Sequence, residues 1–123
     1  MSNKNILLIE DDPFIKQMYV NKIEETQIKV FAGLDQDEID TILDKNSIDL
    51  ILLDLILPNI SGFELLKLLK NKSQTQYIPI IVLSNLSSQK DIDQAFKLGA
   101  NDYIVKSNYT PTEVMRIVQE YLS

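Results

Sequence analysis

The chain contains no cysteine and no histidine, and only three of its 123 residues are glycine. The absence of cysteine excludes disulfides, thiolate metal sites and thiol nucleophiles. The absence of histidine excludes a Ser-His-Asp triad, an imidazole metal ligand and a phosphohistidine within this chain. Glycines at positions 33, 62 and 99 cannot form a Walker loop or a G-x-G-x-x-G dinucleotide turn. Any chemistry must therefore come from carboxylates, hydroxyls, amides and lysines.

Positive charge and long apolar runs are also scarce. Twelve basic residues against eighteen acidic ones give a net charge of −6, so the chain lacks the cationic surface that direct contact with a nucleic-acid backbone requires. No apolar run approaches the roughly 20 residues that span a bilayer, and we expect no signal peptide. These features predict a cytoplasmic protein without direct nucleic-acid contact or membrane insertion.

The apolar residues follow two alternating patterns. Short continuous runs, typical of strands buried on both faces of a parallel sheet, occur at residues 6–9, 48–53, 80–83 and 103–105. A half-alternating run at residues 28–30 predicts a fifth strand at an edge. Segments with helical spacing lie between the strands, so the pattern predicts an α/β fold: a three-layer, doubly wound, five-stranded parallel sheet. We expect one domain over residues 1–123, with no output domain.

Local signals predict how the helices begin and which side faces the sheet. The expected opening or capping residues are Pro13, Asp35 with Glu38, Ser61 with Glu64, and Thr110 with Pro111 and Glu113. Gly99 is expected to end the fourth helix. The expected inner face of the first helix is Phe14, Ile15, Met18, Tyr19 and Ile23. On the fourth helix it is Ile92, Ala95 and Phe96.

Polar residues follow the apolar runs, where the strands end. They are Glu10, Asp11 and Asp12 after the first run, Asp54 after the third, Ser84 and Asn85 after the fourth, and Lys106 after the last. In an open α/β sheet, ligands bind outside the carboxyl ends of the strands, so these residues should converge. Carboxylates brought together repel unless a cation neutralises them. An all-oxygen ligand set predicts Mg²⁺.

Asp54 is the candidate nucleophile of this group, since a carboxylate that attacks phosphorus yields an aspartyl phosphate. Ser84 and Lys106 would bind the phosphoryl oxygens. Structural interpretations compete for the other residues. Glu10 and Asp12 suit a helix cap, which we favour for Asp12; Ser84 and Asn85 suit another cap, and Lys106 suits a solvated surface position. Asp54 lies between apolar runs, where a purely structural charge would be costly.

Four sequence blocks, I-L-L-I-E-D-D-P, L-I-L-L-D-L-I-L-P-N-I-S-G, I-V-L-S and D-Y-I-V-K, resemble the signature blocks of response-regulator receiver domains in order and spacing. The resemblance covers the whole chain and implies a single-domain, chemotaxis-regulator-like member. It implies a flavodoxin-like strand order 2-1-3-4-5. It also implies a two-component phosphorelay, with a histidine kinase or a histidine phosphotransfer protein as donor. The chain would then be a signalling domain rather than an enzyme, and would assist its own phosphorylation and dephosphorylation.

The resemblance also implies roles for individual residues. They are Asp54 as phosphoacceptor and Mg²⁺ ligand, Asp11 and the Ile56 backbone carbonyl as further Mg²⁺ ligands, Glu10 as a ligand through water, Lys106 and Ser84 as phosphoryl contacts, and Tyr103 as the switch aromatic. Phosphorylation would pull Ser84 inward and let Tyr103 follow, shifting a pre-existing equilibrium. In similar proteins the surface that then meets a downstream target protein is formed by the fourth helix, fifth strand and fifth helix.

Four positions depart from the family pattern. Most receivers have a cis Lys-Pro bond where Lys106 precedes Ser107, and a cis bond without proline costs ~2.5–4 kcal/mol, so this loop is either strained or trans. Asn85 replaces a small residue and is expected to narrow access to the acceptor. Ile56 and Leu86 are apolar where other members often carry polar groups. We hypothesise that they exclude the hydrolytic water and lengthen the phosphoryl lifetime.

Three alternative functions remain open from the sequence. One is a degenerate receiver that works as a phosphorylation-independent interaction module, which Asn85 and Ser107 favour. Another is an N-terminal receiver of a longer regulator. The third is an aspartyl-phosphate phosphatase, which would need a second aspartate two residues after the nucleophile, where Ile56 stands.

Overall fold

The computed structural model describes residues 4–123, along which five strands alternate with five α-helices. The strands are β1 (Asn5–Ile9), β2 (Lys29–Ala32), β3 (Leu50–Leu53), β4 (Ile80–Ser84) and β5 (Asp102–Val105). The helices are α1 (Pro13–Glu24), α2 (Gln36–Lys45), α3 (Gly62–Asn71), α4 (Gln89–Lys97) and α5 (Pro111–Leu122). A short 3₁₀ turn, Lys106–Asn108, follows β5.

The sheet has the strand order β2-β1-β3-β4-β5, and each neighbouring pair is parallel. This confirms the predicted doubly wound architecture and the order 2-1-3-4-5. Strand β2 lies at an edge with partly exposed side chains, as its half-alternating pattern predicted. Strand β2 is added on one side of β1, and β3, β4 and β5 are added on the other. The loops that follow β1 and β3 therefore lead to helices on opposite faces of the sheet, and a cleft lies between these loops at the carboxyl edge.

Two separate apolar clusters cover the two faces of the sheet. Alternate residues of β1 enter different clusters, because successive side chains of a strand point to opposite faces. One cluster joins the sheet to α2, α3 and α4, and the other joins it to α1 and α5. Nearly all side chains of β1, β3 and β4 are buried. This packing fixes the carboxyl ends of the central strands relative to one another.

Helix caps fix where the loops at that edge end. The Asp12 side chain accepts hydrogen bonds from the backbone N–H groups of Phe14 and Ile15, which confirms its capping role. The boxes at α2 and α5 are complete. At α3 the predicted box is wrong, because Ser61 accepts from the N–H of Phe63 and no reciprocal bond from Glu64 accompanies it. In both arrangements the first helical N–H groups gain an acceptor.

Parts of two predicted inner faces are wrong. Phe14 is 82% exposed and Met18 is 38% exposed, whereas Tyr19 and Ile23 are buried. Ile15, Tyr19 and Ile23 are spaced four apart and form one stripe. Phe14 and Met18 lie about 100° around the helix from that stripe. The same offset on α4 exposes Phe96 while its neighbour Ala95 is buried.

None of the helices within residues 4–123 combines the length and the apolar character that crossing a membrane would require.

Candidate functional site

Three carboxylates meet at the carboxyl edge of the sheet. Glu10 and Asp11 directly follow β1, and Asp54 follows β3, which is the neighbour of β1 in the sheet. One carboxylate oxygen of each residue lies within 4.8 Å of the other two. Glu10 is 4% exposed and Asp54 is 6% exposed, whereas Asp11 is open to solvent. The predicted convergence of these residues is therefore present.

Lys106 reaches this cluster from the turn after β5. Its Nζ donates to Asp54 Oδ2 at 3.0 Å and, in a shorter contact, to Glu10 Oε1. The Lys106 side chain is 10% exposed, so the alternative of a solvated surface lysine is wrong. Burial alone lowers the pKa of Lys106, but the hydrogen bonds to Glu10 and Asp54 outweigh it and leave the pKa raised. The lysine therefore stays protonated beside the carboxylates.

The charges of this cluster do not balance. Three carboxylates and one ammonium group leave a formal charge of −2. Burial raises the pKa of Glu10, and its contact with Lys106 opposes this effect without cancelling it. A cavity of about 210 Å³ opens from the cluster and is lined by Glu10, Asp11, Asp12, Ile15, Asp54, Ile56, Asn85 and Lys106. The all-oxygen donors, the net charge and the space for water fit Mg²⁺.

The Asp54 carboxylate is held at both oxygens. Oδ2 accepts from Lys106, and Oδ1 accepts from the backbone N–H of Ile56 at 3.2 Å. The backbone N–H of Asp54 donates to the carbonyl of Ile9 and so extends the β1–β3 ladder by one bond. The carboxylate therefore has a defined orientation before any ligand binds.

Gly62 allows α3 to begin against the loop that carries Asp54. A Cβ atom at Gly62 would lie 2.3 Å from the Cα of Leu55 and 2.6 Å from the carbonyl oxygen of Asp54. Its backbone N–H donates to the carbonyl of Leu55 at 3.0 Å. In the sequence, Gly62 is recognisable only as the last residue of a signature block. The backbone of Gly62 approaches that of Leu55 and Asp54, seven and eight residues earlier in the chain. No local sequence pattern predicts this close approach.

Ser84 and Tyr103 lie behind the cavity rather than in it. Ser84 is fully buried at the end of β4 and does not line the cavity, although its neighbour Asn85 does. The Ser84 Oγ accepts from the N–H of Leu86 at 3.4 Å, and the Tyr103 hydroxyl donates to the carbonyl of Leu86 at 2.6 Å. Both predicted switch residues therefore contact the same residue of the β4–α4 loop.

The structure also decides two predictions about the loops, the cap of α4 and the isomer of the peptide bond after Lys106. Neither Ser84 nor Asn85 caps α4, because Ser88 does so by accepting from the N–H of Asp91 at 3.1 Å. No cis peptide bond occurs within residues 4–123, so the bond between Lys106 and Ser107 is trans. Of the two alternatives that the sequence left open, the trans loop is the one observed.

Comparison with known proteins identifies the family. The family model of the response regulator receiver domain matches residues 6–119. The chain belongs to this family. Receiver domains act in two-component signalling, where they interact with histidine kinases and downstream effectors, and they typically bind Mg²⁺. With the acidic cluster retained around Asp54, the degenerate-module alternative is not favoured.

Individual relatives cover different lengths. The chemotaxis protein CheV1 of Helicobacter pylori is 36% identical over an alignment of 126 positions, which covers 98% of this receiver and 39% of CheV1. The structure of Vibrio cholerae CheY4 matches with a TM-score of 0.88 and 25% identity, over 98% of this receiver and 100% of CheY4. The receiver domain of the Pseudomonas aeruginosa sensor histidine kinase PA1611, which has a magnesium ion coordinated in its active-site cleft, matches with a TM-score of 0.84 and 25% identity over 98% of each chain. This receiver spans about half or less of the length of the curated relatives it matches.

Proposed function

We propose that Asp54 of this receiver accepts a phosphoryl group from a phosphohistidine of a histidine kinase or a histidine phosphotransfer protein. The observation that carries the proposal is the Asp54 carboxylate itself, which is nearly buried, oriented at both oxygens and placed beside two further carboxylates and Lys106. Residues 1–123 would act as one receiver domain in the cytoplasm, without direct contact to nucleic acid.

The metal ligands in this proposal are Asp11, Asp54 and the Ile56 backbone carbonyl, with Glu10 acting through water. Mg²⁺, when bound there, supplies positive charge to the phosphoryl oxygens. Support comes from the mutual approach of the three carboxylates and from their uncompensated charge. The magnesium ion in the cleft of the PA1611 receiver is consistent with the same assignment.

Transfer requires Asp54 to form a bond to phosphorus while the bond from phosphorus to the donor imidazole breaks. The imidazole leaves with the bonding electron pair. Lys106 keeps the acceptor oriented before transfer, and its ammonium group can then pair with a phosphoryl oxygen, because it already lies 3.0 Å from Asp54 Oδ2. The Ser84 hydroxyl would have to leave the N–H of Leu86 to reach the same phosphoryl group.

A mass measurement tests this function. Incubation with acetyl phosphate and Mg²⁺ should add the mass of one phosphoryl group to the intact protein. The Asp54→Asn variant and a control without Mg²⁺ should gain nothing. If the folded wild type stays unmodified, including with a phosphorylated histidine donor, the proposal is wrong and the protein is an interaction module.

The proposed output surface consists of α4, β5 and α5. The link from the site is the Tyr103 hydroxyl of β5, which is bonded to the loop that begins beside Ser84. Phosphorylation should therefore change amide hydrogen exchange in the β4–α4 loop and across α4, β5 and α5, but not in acetyl-phosphate-treated Asp54→Asn. Changes confined to the loop that carries Asp54 would contradict this surface.

Ile56 and Leu86 are proposed to slow loss of the phosphoryl group. Ile56 lines the cavity and its side chain is 54% exposed there, so it can restrict the approach of water to the acceptor. Ile56→Asn should shorten the lifetime of the phosphorylated form, measured by the return of the unmodified mass after donor removal. An unchanged lifetime would count against the proposal.

A further inference from the structure

The residues at two departures from the family pattern are bonded to each other. The Asn85 Oδ1 accepts a hydrogen bond from the backbone N–H of Ser107 at 3.1 Å. A proline at position 107 would have no N–H, and an alanine or glycine at position 85 would have no side-chain acceptor. The bond therefore needs both departures, since Ser107 supplies the donor and Asn85 supplies the acceptor. We name this bond between Asn85 and Ser107 the clasp.

The clasp lies where the β4–β5 ladder ends. Ser84 and Val105 are the last paired residues of these strands, and Asn85 and Lys106 are the next residue of each. The turn of Lys106–Asn108 has no capping side chain from Val105, and its own backbone contributes a 3.4 Å bond from Tyr109 to Lys106. Asn85 thus supplies, from the neighbouring strand end, an acceptor that the turn lacks locally.

Lys106 is the residue that this bond affects most directly. It immediately precedes Ser107, and its side chain crosses to Asp54 and Glu10 from that turn. Asn85 and Lys106 line the acceptor cavity together. They also line a second cavity of about 220 Å³, next to Ser107 and Tyr109. The clasp therefore joins two residues, Asn85 and Ser107, beside both cavities.

We propose that Asn85 is a positioning residue that fixes the backbone of Lys106 through its bond to Ser107, and so holds the lysine toward Asp54. The bond from Ser107 to Asn85 restrains the backbone after Lys106, where a proline at position 107 would restrain it by its ring. The kinetic consequence rests on the proposed phosphorylation of Asp54, whereas the clasp itself does not.

The kinetic test measures phosphorylation by acetyl phosphate in a double-mutant cycle. Asn85→Leu removes the acceptor but keeps the bulk at the cavity wall, and it should slow phosphorylation about fivefold, which is the size expected for one exposed hydrogen bond. Ser107→Ala keeps the backbone N–H and should react as the wild type does. In a Lys106→Ala background, Asn85→Leu should have no further effect. An equal slowing in both backgrounds would overturn the proposal.

Two measurements on the unphosphorylated protein keep the test independent of the proposed function. Amide exchange at Ser107 should be faster in Asn85→Leu, while exchange in the strands of the sheet stays unchanged. The ¹⁵Nζ resonance of Lys106 should shift in Asn85→Leu but not in Ser107→Ala. If either signal is unchanged in Asn85→Leu, the proposal is wrong. If both change while the wild type accepts no phosphoryl group, the clasp stands and the proposed function fails.

Discussion

Two lysines at opposite edges of the sheet show how this fold separates function from stability. Lys106 lies at the carboxyl edge and donates to two carboxylates. Lys70 lies near the end of α3, at the amino edge, and its Nζ donates to the carbonyl of Ile78 at 2.9 Å and to Asn101 Oδ1 at 3.0 Å. The partners of Lys106 are charged, whereas these partners of Lys70 are neutral.

The surroundings move the two pKa values in opposite directions. Burial lowers the pKa of Lys70. Burial also acts to lower the pKa of Lys106, but the hydrogen bonds to Glu10 and Asp54 outweigh it, so that pKa is raised. Asn101 Oδ1 also accepts from the N–H of Ile80, so Lys70 joins the starts of β4 and β5. Lys70 satisfies neutral acceptors that precede β4 and β5. Lys106 neutralises only part of the charge of Glu10, Asp11 and Asp54, so that cluster stays negative. The comparison predicts that mutations of the two lysines affect different properties.

The largest effect is expected from Lys106→Ala. Removal of the cation that faces the acceptor should slow phosphorylation by acetyl phosphate by about 10²-fold or more, the size seen when one preorganised charge-stabilising donor is lost. The rate is measured from intact masses over time. Lys70→Met is the matched control. Equal slowing by both variants would break the distinction between the edges.

A substitution at Gly62 should lower stability at the carboxyl edge without touching a charge. Gly62→Ala forces its Cβ against the backbone of Leu55 and Asp54, which cannot move aside cheaply, and it should lower the free energy of unfolding by about 3 kcal/mol. In Gly33→Ala the nearest atom is the tip of the Ile42 side chain at 3.0 Å, so the loss should be much smaller. Urea unfolding followed by circular dichroism compares them, and equal losses would contradict this reasoning.

Lys70→Met should destabilise the protein more modestly. Its loss leaves the carbonyl of Ile78 and the side chain of Asn101 with fewer donors, and we expect a decrease of about 1–2 kcal/mol in the free energy of unfolding. The phosphorylation rate should remain that of the wild type. A reduced rate at unchanged stability would reverse the roles assigned to the two edges.

The smallest effect is a pH dependence specific to Lys70. Its folded-state pKa lies below the ordinary value of 10.5. Between the lowered pKa and 10.5, the unfolded chain binds more protons than the folded one, so raising the pH favours folding. The stability of the wild type relative to Lys70→Met should therefore rise with pH in that alkaline window. Urea unfolding of both proteins across the window measures the difference, and a constant or falling difference would contradict the sign.

The fold was predictable where the signals are local or periodic. Buried strand runs, the edge character of β2 and the box of Asp35 with Glu38 depend on neighbours along the chain. The convergence of Glu10, Asp11 and Asp54 follows from the rule that parallel strands end at one edge. For Gly99, the left-handed φ of 112° matches the expected helix end.

The remaining features depend on contacts that sequence spacing does not encode. A rotation of one position decides whether Phe14 or Ile15 faces the sheet, and both are apolar. Nothing near Lys70 or Lys106 in the chain distinguishes a neutral partner from a charged one, since their partners come from other elements. The bond between Asn85 and Ser107 is likewise invisible before two loops that follow neighbouring strands are brought together.

The most direct test of the central claim is to locate the modified residue. Protein treated with acetyl phosphate and Mg²⁺ is reduced with borohydride, which converts an aspartyl phosphate to homoserine, and its peptides are sequenced by mass spectrometry. The account predicts homoserine at position 54 alone. Homoserine at position 11 or 12, or none in a folded and magnesium-loaded protein, would contradict it.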